Sequence, residues 1–192
     1  MSSSTIDTAK LKFAPLVTSS KGAKQLPTFF SDGALIVWQP EEYLEVPFEP
    51  SAFNDAEANR VTLCMTPSDA VCETIRALDE WCIDTLSADT VALLGVQMTP
   101  GQVRDRYVSC LKTSDKGYKT LRVKMNRSGR YALQCYTTEK QKCVHPQEWR
   151  GCSIRPRLVV RSVWIMGKDF GALLECSHAI VKKDSSGDEC PF

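Results

Sequence analysis

The chain has 192 residues, of which 43% are hydrophobic and 24% are charged. This length suits one domain with a hydrophobic core, and the composition excludes a chain that is disordered throughout. No apolar run approaches the roughly 20 residues that a membrane-spanning helix requires. The nine cysteines form no Cys-x-x-Cys pair, and the polar N-terminal sequence has no apolar signal region. We therefore expect reduced thiols and an intracellular protein, nuclear or cytoplasmic, of cellular or viral origin.

Charge is distributed very unevenly along the chain, although the formal net charge is only +1. Residues 1–100 contain 6 Lys/Arg and 14 Asp/Glu, whereas residues 101–161 contain 15 Lys/Arg and 4 Asp/Glu. Such asymmetry is typical of proteins that join an acidic part to a part facing nucleic acid or phosphate. The alternative is a lysine-rich solvated surface that binds nothing.

The N-terminal half predicts an arm followed by short strands. Residues 1–28 are rich in Ser, Thr and Lys and show little periodicity, so we expect a flexible or extended arm there. The apolar runs "GALIVWQP" and "VTLCM" predict strands. The acidic, proline-containing segment between these runs is typical of a loop or an edge.

The clearest element is a helix at about residues 67–86. Thr66 is suited to the cap position and Pro67 to the first helical position. An apolar stripe faces the core and consists of Val71, Ile75, Leu78, Cys82 and Leu86. The opposite face is acidic and carries Asp69, Glu73, Asp79, Glu80 and Asp84. Because this face would repel phosphate, we interpret the helix as scaffold.

The second half predicts a short helix in "TPGQVRDRYVSCL" and then strands in "YKTLRVKMN", "RYALQCYTT", "CSIRPRLVVRSVWIM" and "FGALLECSHAIV". Several short strands with one prominent helix favour a mainly β (α+β) fold, an OB-like, partly open antiparallel β-barrel with an inserted helix. We assign this single domain to residues 29–182. A generic α+β domain is the alternative.

The sequence offers little for catalysis. It has two histidines and none of the nucleotide-binding or hydrolase motifs. Cys143, His145 and Cys152 could be imagined as metal ligands, but zinc sites normally use tighter spacings. We therefore predict no enzyme activity, no cofactor and no metal.

The basic segment alternates cations with aromatic side chains, which is what single-stranded nucleic acid requires. Cations follow the phosphates, and flat rings stack on exposed bases. The candidate binding residues are Lys112, Lys116, Tyr118, Lys119, Arg122, Lys124, Arg127, Arg130, Tyr136, Arg155 and Arg157. Tyr107 and Tyr131 are equally compatible with core packing, and Trp81 and Trp164 are assigned to the core.

The segment "RPRLVVRSVWIMGKDFGALLE" resembles the last hairpin of a known family, the OB-fold single-stranded DNA-binding proteins of phages, with relatives in large eukaryotic DNA viruses. The matching residues are Trp164, Gly167, Lys168, Phe170 and Gly171. The resemblance covers about residues 60–192. It implies an OB-like barrel with the 67–86 helix inserted between barrel strands.

The acidic tail, residues 183–192, ends in "DECPF" and extends this resemblance. In that family an acidic tail with a terminal Phe recruits replication or repair proteins, which implies a partner-binding role for Asp188, Glu189, Pro191 and Phe192. The tail is shorter here than the acidic run of the phage proteins.

These observations predict a protein that coats single-stranded DNA with little sequence preference during replication, recombination or repair. One alternative is an RNA-binding protein that uses the same surface. Another is a structural or virion protein associated with nucleic acid. A homodimer is also left open.

Overall fold

The computed structural model describes residues 5–20, 22–52, 55 and 57–182. In chain order, its elements are a 3-10 helix Thr8–Lys10, β1 Leu11–Phe13, β2 Val17–Thr18, β3 Lys24–Phe30, β4 Ile36–Trp38, β5 Leu44–Glu45, β6 Arg60–Met65, α1 Asp69–Ala88, α2 Thr90–Leu94, α3 Pro100–Arg106, β7 Leu111–Thr113, β8 Lys119–Asn126, β9 Gln134–Tyr136, β10 Lys142–Cys143, β11 Ser153–Met166 and β12 Asp169–Lys182. None of the helices in these residues combines the length and the apolar character needed to span a bilayer.

One strongly curved sheet organises the molecule, with its main strands in the order β1-β3-β11-β12-β8-β6. The long β11–β12 hairpin is antiparallel and turns at Gly167, whose φ is +62°. Most pairings are antiparallel, but β12 runs parallel to β8 and to β9. The fold is therefore OB-like and mainly β, with a half-barrel sheet and a few helices, which confirms the predicted fold class.

The core lies between the sheet and α1. On β8, Leu121, Val123 and Met125 are buried, whereas Arg122 and Lys124 point outward, as the alternation predicted. The predicted apolar stripe of α1 is buried along its whole length. One face of β8 thus joins the core, and its other face is available to a ligand.

The predicted start of α1 and one of its acidic positions were wrong. The N-cap is Ser68 rather than Thr66, because the Ser68 hydroxyl accepts a hydrogen bond from the Val71 amide at 3.2 Å. Asp79 was placed on the acidic surface, but it is buried, because Tyr107 and Ser109 donate hydrogen bonds to its carboxylate. The short second helix, α3, is confirmed and begins with a capping box at Thr99 and Gln102.

Two other segments differ in detail from the sequence expectations. The N-terminal arm was ended at residue 28, whereas β3 runs across this position and pairs with β11, where Leu26 lies opposite Val163 and is fully buried. The strand predicted in "RYALQCYTT" is limited to β9, which pairs with β10 and β12. The loop before β9 leaves Tyr131 outside the core, because Asn59 holds the loop by accepting from the Ser128 amide at 2.7 Å.

Candidate nucleic-acid interface

The outward side of the sheet concentrates positive charge. We call the outward side chains of β6, β8, β11 and β12, together with the adjoining β7, the basic face. Its cations are Arg60, Lys112, Arg122, Lys124, Arg157 and Arg161. Strand register sets their neighbours, since Cys64 lies opposite Arg122, and Thr62 lies opposite Lys124.

The first groove of the basic face has a volume of about 570 Å³. Lys112, Arg122 and Lys124 line it together with Trp164 and Leu173. The Lys124 ammonium is held in place by donating to the Thr62 hydroxyl at 2.8 Å. Partial burial, reinforced by the nearby Arg60 cation, lowers the pKa of Lys124. The groove therefore joins clustered positive charge to an aromatic wall.

The aromatic wall depends on Gly171. A Cβ at this position would collide with the carbonyl oxygen of Val108 and would lie 3.2 Å from Cζ2 of Trp164. The Trp164 ring therefore packs against the bare backbone of β12. The Val108 amide also donates to the carbonyl oxygen of Phe170 at 2.7 Å, which fixes the segment beside the ring.

A buried carboxylate of α1 supports the same wall from behind. Asp79 accepts a hydrogen bond from the Tyr107 hydroxyl at 2.8 Å and another from the Ser109 hydroxyl at 2.6 Å. Burial raises the pKa of Asp79, and these two hydrogen bonds partly offset that effect. The helix thus contributes to the groove indirectly, by fixing the segment that contains Val108 and Cys110.

The second groove has a volume of about 320 Å³ and lies on the β9 side of the basic face. Arg130, Arg157 and Arg161 border it. The Tyr131 ring stands at its edge, 63% exposed, with Cζ of Arg130 5.6 Å from the ring centroid. This groove also combines cations with an aromatic ring that is accessible for stacking.

Glu175 borders the second groove next to Lys124 of the first groove. This residue lies opposite Lys124 in the β12–β8 register, and its side chain is largely buried. Its carboxylate accepts from Arg161 at 2.9 Å and forms an ion pair with Arg60 at 3.5 Å. The two ion pairs fix Arg161, which borders the second groove, and Arg60 on β6.

A third groove, of about 440 Å³, lies beside α1 and has the opposite charge. Glu41, Glu42 and Glu73 line it around apolar side chains such as Val71. Carboxylates at this density would repel a phosphate backbone. Charge therefore favours the first two grooves as the nucleic-acid interface.

The structure brings some of the predicted residues together and separates others. Those that line the two grooves are Lys112, Arg122, Lys124, Arg130 and Arg157. Lys116 and Tyr118 lie in the exposed β7–β8 turn, and Tyr136 stacks on His178 with ring centroids 6.0 Å apart.

Three further predicted cations are held by other groups. Lys119 pairs with Asp69 of α1 at 3.4 Å. Arg127 donates to the carbonyl oxygen of Pro50 at 3.0 Å, and Arg155 donates to that of Pro40 at 2.8 Å. The interface that we propose below therefore does not include these three side chains.

Some residues of the basic face were missed by sequence reasoning. Arg60 could have been found, because it continues the outward alternation of "RVTLCM". Trp164 was assigned to the core, but it is only partly buried and lines the first groove. Its position follows from its register opposite Gly171, which the sequence alone does not reveal.

The remaining predicted sites give no second candidate. Within the described ranges, no cluster of three His, Cys, Asp or Glu side chains is arranged to hold a metal. The His145 ring instead donates from Nε2 to the carbonyl oxygen of Leu133 at 2.6 Å. Asp188, Glu189, Pro191 and Phe192 lie outside the described residues.

Comparisons with known proteins agree on the fold. No family model matches the chain, and no curated protein matches it in sequence. The single-stranded DNA-binding protein from bacteriophage Enc34, solved in complex with ssDNA, is similar with a TM-score of 0.50 and 14% identity over 93% of this chain and 99% of that chain. The single-stranded DNA-binding protein gp2.5 of bacteriophage T7 gives a TM-score of 0.51 and 13% identity over 81% of this chain and 92% of that chain. At these identities the similarity establishes a shared fold.

Proposed function

We propose that this protein binds single-stranded DNA across the two grooves of the basic face, as a non-enzymatic coating protein in replication, recombination or repair. The observation that supports this function best is the first groove, where Lys112, Arg122 and Lys124 surround a partly exposed Trp164. The fold shared with two phage single-stranded DNA-binding proteins supports the same function.

The chemistry of the basic face suits an unpaired strand better than a duplex. Cations along β7 and β8 would contact successive phosphates and release their counterions. Trp164 and Tyr131 would each stack on a base, and stacking requires a base that is not paired within a helix. In the exposed β7–β8 turn, Lys116 and Tyr118 would close over the bound strand. Tyr136 would support the second groove from behind, through His178.

Titration of labelled oligonucleotides tests this function. The purified protein is mixed with single-stranded DNA, single-stranded RNA or duplex DNA at two salt concentrations, and fluorescence anisotropy is measured. We expect single-stranded DNA to bind tightest, with affinity that falls steeply as salt increases. Equal affinity for duplex DNA, or no binding at low salt, would contradict the proposal. Tighter binding of RNA would show that the same face serves an RNA-binding protein.

The acidic tail is a second, smaller part of this proposal. Asp188 and Glu189, with Pro191 and Phe192, would bind replication or repair proteins, and the acids would compete weakly with DNA for the basic face. Deletion of residues 187–192 should therefore raise oligonucleotide affinity by no more than about twofold, because exposed charges interact weakly. A decrease in affinity would contradict the competition.

A further inference from the structure

The second groove differs from the first groove in ways that suit a nucleobase rather than a phosphate. Leu35 and Val37 form an apolar wall, and the exposed Tyr131 ring stands at the edge of the groove. The carboxylate of Glu175 also borders it and pairs with Arg161, which offsets part of the positive charge that a phosphate would need. A volume of about 320 Å³ lies at the lower end of the range typical of small-ligand sites.

Arg157 is held in a fixed orientation in this groove. Its Nη1 donates to the Ser177 hydroxyl at 3.3 Å and approaches Nδ1 of His178 at 3.5 Å. The Ser177 hydroxyl in turn donates to the carbonyl oxygen of Arg157 at 3.2 Å. A guanidinium carries five N–H donors, so this arrangement leaves donors for a ligand in the groove.

His178 helps to hold this orientation as a neutral ring. Its Nδ1 lies 3.0 Å from the Ser177 hydroxyl and 3.5 Å from Nη1 of Arg157, so the ring packs against both groups. Burial, with the adjacent Arg157 cation, lowers the pKa of His178, and the ring therefore stays neutral at neutral pH. Tyr136 stacks against the ring and restricts its rotation.

We propose that the second groove is a base-selective subsite that prefers guanine, with Tyr131 stacking on the base and Arg157 donating to its O6 and N7. Guanine places two acceptors side by side, which matches a guanidinium. Adenine has an amino donor where guanine has O6, so it would face the Arg157 donors unfavourably. This inference rests on the proposed single-strand binding, and it adds a preference at one position to an otherwise unselective interface.

The test uses short oligo(dT) strands that carry a single guanine, 7-deazaguanine or adenine. Binding to the full-length protein is measured by anisotropy. We expect the guanine strand to bind about fivefold to tenfold more tightly than the adenine strand, as one bidentate contact predicts. The 7-deazaguanine strand lacks N7 and should lose most of this gain.

Matched variants assign the preference to Arg157. Arg157→Lys keeps the charge but removes the paired donors, so it should abolish the difference between guanine and adenine. Arg122→Lys makes the same change in the first groove and should leave the difference intact. Tyr131→Ala removes an exposed ring without risk to the fold, and it should also reduce the difference.

The outcomes separate this inference from the function on which it rests. Tight binding of oligo(dT) without any guanine preference would overturn the subsite and leave single-strand binding intact. A preference that survives Arg157→Lys would also overturn it. If oligo(dT) does not bind at all, the proposed function and the subsite both fail.

Discussion

The α1 side and the basic face differ in the number of carboxylates that pair with their cations. On the α1 side, Arg104 pairs with Glu80 at 2.7 Å, and Lys119 pairs with Asp69 at 3.4 Å. On the basic face, one carboxylate, Glu175, pairs with both Arg60 and Arg161. Arg104 and Lys119 therefore each have a carboxylate of their own, whereas cations outnumber carboxylates on the basic face. The comparison shows that the ratio of cations to nearby carboxylates, rather than the number of cations, defines a phosphate-binding surface.

The largest expected effect comes from removing the cations of the first groove. The triple change Lys112→Ala, Arg122→Ala and Lys124→Ala should weaken single-stranded DNA binding about 100-fold, since each phosphate contact contributes on the order of 1 kcal/mol. The slope of log affinity against log salt should become shallower by about 2, which corresponds to three phosphates on a single strand. Anisotropy titrations over a salt series measure both quantities.

The matched control removes three cations, one each from the 3-10 helix, β1 and α1. Lys10→Ala, Lys12→Ala and Arg76→Ala change the net charge equally but do not alter either groove. We expect nearly unchanged affinity and slope, because none of these three side chains lines either groove. Equal losses in the two triple variants would show that net charge alone governs binding, and the contrast between the two sides would not hold.

The wall of the first groove should be the next most sensitive feature. Gly171→Ala places a methyl group against the carbonyl oxygen of Val108 and against the Trp164 ring. Such overpacking should reduce the free energy of unfolding by about 1–3 kcal/mol. Chemical denaturation measures the loss. Gly167→Ala serves as the comparison, because this residue lies at the solvent-exposed turn of the same hairpin. This variant introduces backbone strain without crowding, so it separates the two effects. Wild-type stability in Gly171→Ala would show that this close approach does not shape the groove.

Stacking in the first groove should contribute less than the three cations together. Trp164→Ala should weaken single-stranded DNA binding about tenfold, because stacking on an aromatic ring is worth about 1–3 kcal/mol per base. Trp164→Phe keeps a flat ring and should recover most of the affinity. Quenching of Trp164 fluorescence on titration with oligo(dT), measured against the signal of Trp164→Phe, locates the contact. An unaffected affinity in Trp164→Ala would place the strand elsewhere on the basic face.

The smallest expected effect concerns Asp79, the α1 carboxylate that faces inward. Burial raises its pKa in the folded protein, so the folded state binds a proton more readily than the unfolded state. The contribution of Asp79 to stability is therefore greatest below the pKa that its carboxyl has in the unfolded chain. It is lost as pH rises through the pKa that the carboxyl has in the folded protein. Asp79→Asn does not titrate, so its free energy of unfolding relative to wild type should increase with pH across this window. Denaturation at a series of pH values measures the difference, and a constant difference would contradict the burial effect.

Periodic segments determined much of this protein from sequence alone. The alternation in "YKTLRVKMN" specified which side of β8 carries Arg122 and Lys124, because successive side chains on a strand point to opposite faces. The apolar stripe from Val71 to Leu86 specified the helix and its buried face, because residues three or four apart lie on the same side of a helix. The uneven distribution of charge along the sequence identified the basic half without any knowledge of how the strands pair. Such patterns are local, so no knowledge of the tertiary structure is needed to interpret them.

Only the tertiary structure decided which cations act together. Arg127 and Arg155 lie in the same basic part of the sequence as Arg122 and Arg157. Their side chains nevertheless donate hydrogen bonds to main-chain carbonyl oxygens that are far away along the chain. Trp164 becomes part of a groove because β11 and β12 place it beside Gly171. Asp79 becomes a buried anchor because the segment after α3 reaches it with Tyr107 and Ser109. Each of these outcomes depends on contacts between residues far apart in the chain, which local periodicity does not encode.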